Sequence, residues 1–176
     1  MANRILLAID PGTTGAIAEF HDNSLYSVST LPMQMKKVTR QRGGESVKGN
    51  ATTLDVHAFS HMIREAAAAH PGAAMVAVIE QQFARGPERG TGGGANVGNL
   101  MRMYGQLEGV LVGRGWSVDV VAPLRWKNHH GLKGQGKDAS RLLARQFYPG
   151  LAVRNVKDDG LAEAVLIGRW WLDEVA

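Results

Sequence analysis

Arg4-Ile5-Leu6-Leu7-Ala8-Ile9-Asp10, followed by Pro11-Gly12-Thr13-Thr14-Gly15, is the stretch on which the reading of this chain turns. Its unbroken apolar run predicts a strand buried on both faces, and the Pro-Gly pair predicts the turn that ends it. Asp10 therefore stands at the mouth of a buried strand. The pattern recurs at Met75-Val76-Ala77-Val78-Ile79, which ends in Glu80. A third acidic group, Asp158, Asp159 and Glu163, opens the apolar helix-like stretch from Leu161 to Leu172. Such strands and helix bring their acids to one edge of a sheet. Carboxylates forced together repel unless a cation lies between them. Hard oxygen ligands favour magnesium, and magnesium beside a basic surface points to phosphodiester chemistry.

Each acid has a plainer reading. Asp10 or Glu80 alone is compatible with a turn residue or helix cap, and Asp159 with an N-cap. Glu163 interrupts Leu161-Ala162-Glu163-Ala164-Val165-Leu166-Ile167, so it either has a task or faces water. Asp159 and Glu163 are four apart and share one helical face.

Outward from these positions, 16–20 and 25–31 read as strands joined by the turn His21-Asp22-Asn23-Ser24. Residues 33–50 carry Lys36, Lys37, Arg40, Arg42 and Lys48 against Glu45, with Gly43, Gly44 and Gly49, and read as a flexible basic loop. Residues 53–70 read as a helix closed by Pro71-Gly72, and 74–80 as a strand. The glycine-rich segment 81–94, with Arg85 and Arg89, reads as a mobile loop. Helix 95–114 places Leu100, Met103, Leu107 and Leu111 on one side, as a dimer surface or as a face buried on the chain's own sheet. A strand at 116–122 is stopped by Pro123. A short turn or helix follows at 124–127, then a basic loop at 128–136 and helices at 137–148 and 159–171. The expected order is β-β-β-α-β-α-β-α-α, a mixed five-stranded sheet with helices on both faces, in one domain spanning 1–176.

The chain has 176 residues and a net charge of +4, compatible with nucleic acid without establishing it. It has no cysteine, which excludes disulfides and Cys-ligated zinc. Arg4 precedes only a short apolar run, so no signal peptide is expected, and no stretch is long enough to span a bilayer. The expectation is a cytoplasmic protein without a membrane partner.

The ordered set of motifs resembles the RuvC-type Holliday junction resolvases of the RNase H-like superfamily. The matching pieces are Ile9-Asp10-Pro11-Gly12 with Thr13-Thr14-Gly15, Val78-Ile79-Glu80-Gln81-Gln82-Phe83, Tyr104-Gly105-Gln106, Pro123 with Lys127, Gly134-Gln135-Gly136-Lys137, and Ala162-Glu163-Ala164-Val165-Leu166-Ile167-Gly168. Residues 21–73 diverge, which suits a phage-type or otherwise divergent member. The resemblance implies an RNase H-like α/β fold and a homodimer that nicks two strands of a four-way junction symmetrically, leaving 5′-phosphate and 3′-hydroxyl ends. It implies Asp10, Glu80, Asp159 and Glu163 as ligands of two Mg2+ ions, with Mn2+ able to substitute. Lys137 would stabilise the transition-state charge, and Lys127 would lie near the scissile phosphate. Phe83 would probe the opened junction, while Arg85, Arg89, Lys36, Lys37 and Arg40 would neutralise phosphates. A helicase partner is not readable. The chain departs from the family's two acids three residues apart on the last helix. The position three before Glu163 is Gly160, with Asp159 one residue earlier and Asp158 as its rival.

Two other readings compete. Asp10-Pro11-Gly12-Thr13-Thr14-Gly15 also looks like the first phosphate loop of the actin-like and sugar-kinase fold, but that fold needs a second such domain. A branched-DNA binder that keeps the scaffold without cutting is the other.

Overall fold

The computed structural model describes residues 3–12, 14–42, 44–82, 94–136 and 138–176, the side chains of 40–42 and 94–97 excepted. Its elements are β1 (Arg4–Asp10), β2 (Ala16–His21), β3 (Ser24–Thr30), β4 (Met33–Arg42), β5 (Glu45–Leu54), α1 (Val56–Ala69), β6 (Ala74–Glu80), α2 (Gly94–Gly113), β7 (Ser117–Val121), α3 (Pro123–His129), α4 (Asp138–Phe147), a 3-10 turn (Val156–Asp158) and α5 (Asp159–Glu174).

The main sheet has five strands in the order β3-β2-β1-β6-β7. β1 and β2 pair antiparallel, as do β2 and β3, whereas β1–β6 and β6–β7 are parallel. The continuous apolar run of β1 follows from its central place, covered on both faces. Alternation sorts its side chains. Ile5, Leu7 and Ile9 join Phe59 and Ile63 of α1 and Leu107 and Leu111 of α2. Leu6 and Ala8 face the other way, onto Ala162, Val165 and Leu166 of α5 and Trp126 of α3. Helices thus cover both faces, as the sequence predicts. Gly168 permits close packing there, because a Cβ would fall 2.2 Å from the Phe20 ring.

One expectation is corrected, and one open alternative is decided. The segment 33–50 is not a loop. β4 and β5 form a separate two-stranded antiparallel ribbon, in register from Met33↔Leu54 to Arg42↔Glu45. Among its described side chains those of 35–37, 39 and 45–50 are exposed, and Ala51 and Leu54 near its base are buried. Backbone pairing, rather than a buried face, makes it a sheet, so its polar composition resembles that of a loop. The α2 face carrying Met103, Leu107 and Leu111 is buried against the chain's own sheet, at 4%, 0% and 0% exposure. That face is therefore not a free dimer surface. Among the described residues, no helix is long and apolar enough to cross a membrane.

Candidate metal centre at the sheet edge

β1 and β6 run parallel with Ile9 opposite Ile79, so Asp10 and Glu80 end neighbouring strands at the same level. Both are even-numbered partners of the apolar positions that face α5. Open α/β sheets bind ligands beyond the carboxyl ends of their strands, and both acids stand there. α5 crosses this edge and brings Glu163.

The electrostatics record the convergence. Burial pushes the Asp10 carboxyl well above its ordinary range, and the negative charges of Glu80 and Glu163 push it further. Lys127 acts in the opposite direction. Burial also raises Glu80, which is only 7% exposed, and Glu163 adds to that rise. Two donors oppose it. Trp126 Nε1–H donates to Glu80 Oε1 at 2.9 Å, and Gln82 Nε2 donates to Oε2 at 3.3 Å. Lys127 Nζ lies 3.3 Å from Glu163 Oε1 and 4.8 Å from the centre of the Trp126 ring. Among the described residues it is a positive charge set beside these acids.

The remaining acids of the third cluster are engaged elsewhere. Asp158 accepts the backbone N–H groups of Arg154 and Asn155 at 2.9 and 2.8 Å, which lowers its pKa. It caps the chain before α5. Asp159 is the first residue of α5 rather than a side-chain N-cap, and it forms an ion pair with Arg141, which also pairs with Asp138. Gly160 accounts for the departure from the two-acid pattern. A Cβ on it would lie 2.3 Å from the Thr14 carbonyl oxygen and 3.2 Å from Asp10 Oδ2. The first turn of α5 presses against the turn after β1, where an acidic side chain has no room.

A cleft borders this edge, walled by Gly12 and Thr14, by Asn50 to Leu54 of β5, and by α2 residues including Arg102 and Gln106. Lys36 and Lys37 are exposed on β4. Arg40 belongs to β4, but its side chain lies outside the described residues, as do Phe83, Arg85, Arg89 and Lys137.

Sequence reasoning missed Trp126, Gln82 and Arg141. A tryptophan between Arg125 and Lys127 in a polar stretch is a signal of a buried anchor, but its partner lies 46 residues away. Among the described residues, one trio of candidate metal ligands has atoms all within 4.8 Å of one another, and it is Glu19, His21 and His70. Asp10, Glu80 and Glu163 influence one another without meeting that spacing.

A mixed sheet in the order β3-β2-β1-β6-β7, flanked by helices on both faces, has the RNase H-like α/β fold. The comparisons agree on this fold. A structure of Thermus thermophilus RuvC superposes with a TM-score of 0.51 at 15% identity, over 96% of this chain and 95% of that one. Thermus thermophilus RuvC in complex with Holliday junction substrate gives 0.51 at 14% identity, over 93% and 89%. In sequence, 67 residues are 45% identical to the chloroplastic Holliday junction resolvase MOC1 of Chlamydomonas reinhardtii, which is 36% of this chain and 8% of that protein. The chain thus spans under a tenth of that curated relative. No protein-family model matches it.

Proposed function

We propose that this chain is a metal-dependent, structure-specific endonuclease acting on branched DNA, with four-way junctions as its substrate class. The observation that carries the reading is the convergence of Asp10, Glu80 and Glu163, with burial and mutual repulsion raising the first two. Such a site is costly unless a cation completes it. The names of the relatives in both comparisons lend support.

The donor set fits a hard divalent ion, since every candidate ligand is a carboxylate oxygen. Asp10, Glu80 and Glu163 would hold it. Asp159 would have to exchange Arg141 before it could join them. When bound, Mg2+ lowers the pKa of a water and offsets charge on the departing oxygen. The chain's own residues do the rest. Trp126 and Gln82 fix the Glu80 carboxylate. Lys127, paired with Glu163, would be free to meet a phosphate if a bound metal neutralised the acids. Lys137 is assigned to transition-state charge, and Phe83 to the opened junction. Lys36, Lys37, Arg40, Arg85 and Arg89 are assigned to the DNA backbone. Two copies of the chain would supply paired nicks, because one isologous interface suits a two-fold substrate.

The test is incubation of a synthetic four-way junction with the protein and Mg2+. Symmetric nicks with 5′-phosphate ends are expected, and Asp10→Asn should bind the junction and leave it uncut. Binding without any cutting by the wild type would favour a scaffold that only binds. ATP turnover would favour the phosphate-loop alternative.

A further inference from the structure

We propose a second metal site, selective for a borderline transition ion such as Zn2+, formed by Glu19, His21 and His70. Glu19 and His21 alternate along β2 and lie on the face of Ile17, which packs toward α1 and α2. His70 is the residue that caps the C-terminus of α1. The fold thus carries a helix end onto a strand end, and one ligand atom from each residue lies within 4.8 Å of the other two. The place is distinct from the acidic edge. Asp10 pairs with Ala16 and His21 pairs with Ile5, so the trio is at the opposite end of β2. Five strand residues separate the levels by about 17 Å.

The local geometry holds the donors in place. His21 Nε2 is 2.8 Å from Glu19 Oε1. The His21 ring stacks on Tyr26 with centroids 4.0 Å apart and meets the His70 ring edge-on at 4.5 Å. Ser27 Oγ donates to the second Glu19 oxygen at 3.3 Å, which orients the carboxylate as outer partners of metal ligands do. All three residues are half-buried. A hydrogen bond joins Glu19 to His21 and an edge-on ring contact brings His70 to them, so two imidazoles and one carboxylate share one place.

Ligand chemistry separates this site from the first. Two imidazoles and a carboxylate form a zinc-type set with a fourth position open to water. Imidazole nitrogen favours Zn2+, Cu2+ or Ni2+, whereas an all-carboxylate site favours Mg2+. An ion here would join the end of β2 to the end of α1, so its binding would add to folding stability.

The test uses the full chain without a histidine tag and with Mg2+ in excess to occupy carboxylate sites. Titration with Zn2+, followed by calorimetry and by thermal denaturation, should give one bound ion per chain and a raised Tm. Asp10→Asn should bind Zn2+ like the wild type, so this result is independent of the nuclease reading. His21→Ala and His70→Ala should each weaken binding by at least about tenfold, the scale on which even outer partners of a metal act. His70→Gln, which keeps a polar side chain at the helix end, should lose the ion as well. No Zn2+ bound by the wild type, unaltered binding in the histidine variants, or loss in Asp10→Asn would overturn the proposal.

Discussion

Asp10 occupies a position that disfavours its own charge, and stability should report this. Burial, then Glu80 and Glu163, raise its pKa in the folded protein. The folded state therefore holds that proton more tightly than the unfolded state does. The stabilising effect is full below the unfolded carboxylate value of about 4 and is lost as pH rises through the raised folded value. Metal-free wild type should thus fall behind Asp10→Asn in Tm as pH increases above about 4. Added Mg2+ should narrow the gap. For a chain of this size each kcal/mol corresponds to roughly 2–4 °C. Identical melting curves across pH would mean that the carboxyl is not enclosed. Gly160 is the second critical residue. Gly160→Ala puts a methyl group against the Thr14 carbonyl, which has to move or force α5 away. We expect a loss of about 1–3 kcal/mol, typical of overpacking, together with slowed cleavage. An unchanged Tm would show that α5 can shift freely. At this scale the acids are legible in the sequence, because each ends or interrupts an apolar run. Gly160 reads only as a gap in a pattern. The carbonyl that forbids a side chain there lies 146 residues away in sequence, at Thr14.

Elements are legible where burial writes them. β1, β6 and β7 and the helices α1 and α2 lie within a few residues of their expected bounds, since a covered strand or an amphipathic helix leaves a period. The β4–β5 ribbon is illegible for the opposite reason. Its exposed described residues have no core to face, and polar residues, Lys, Gln and Thr among them, dominate its sequence. Its identity as a ribbon changes what its charges can do. Lys36 and Lys37 are adjacent on a strand and point to opposite sides, so they offer charge on both faces of one projecting element. The double substitution Lys36→Ala, Lys37→Ala should weaken junction binding. It should also reduce the slope of log affinity against log salt by about 1 for each phosphate that is no longer neutralised. Cleavage at saturating protein should hold. Unaltered affinity and slope would remove the ribbon from the DNA interface.

The whole molecule combines two levels of specification. Strand and helix identity and two-sided helix cover follow from hydrophobic pattern, whereas the strand order is set by pairing between remote segments, and the solved Thermus thermophilus RuvC structure shares that fold. The site depends on contacts between remote segments: β1, β6, α3 and α5 each deliver one of Asp10, Glu80, Lys127 and Glu163. Which oxygen meets which ion is not encoded in any local run, and so the parts played by Asp158 and Asp159 are not readable without their partners. Both prove to have protein partners, in backbone N–H groups and in Arg141. The assignment of metal to the sheet edge is most directly tested by anomalous diffraction from crystals grown with Mn2+. The account predicts a peak bounded by Asp10, Glu80 and Glu163 that disappears in Asp10→Asn. Manganese bound elsewhere, with none between these carboxylates, would contradict it.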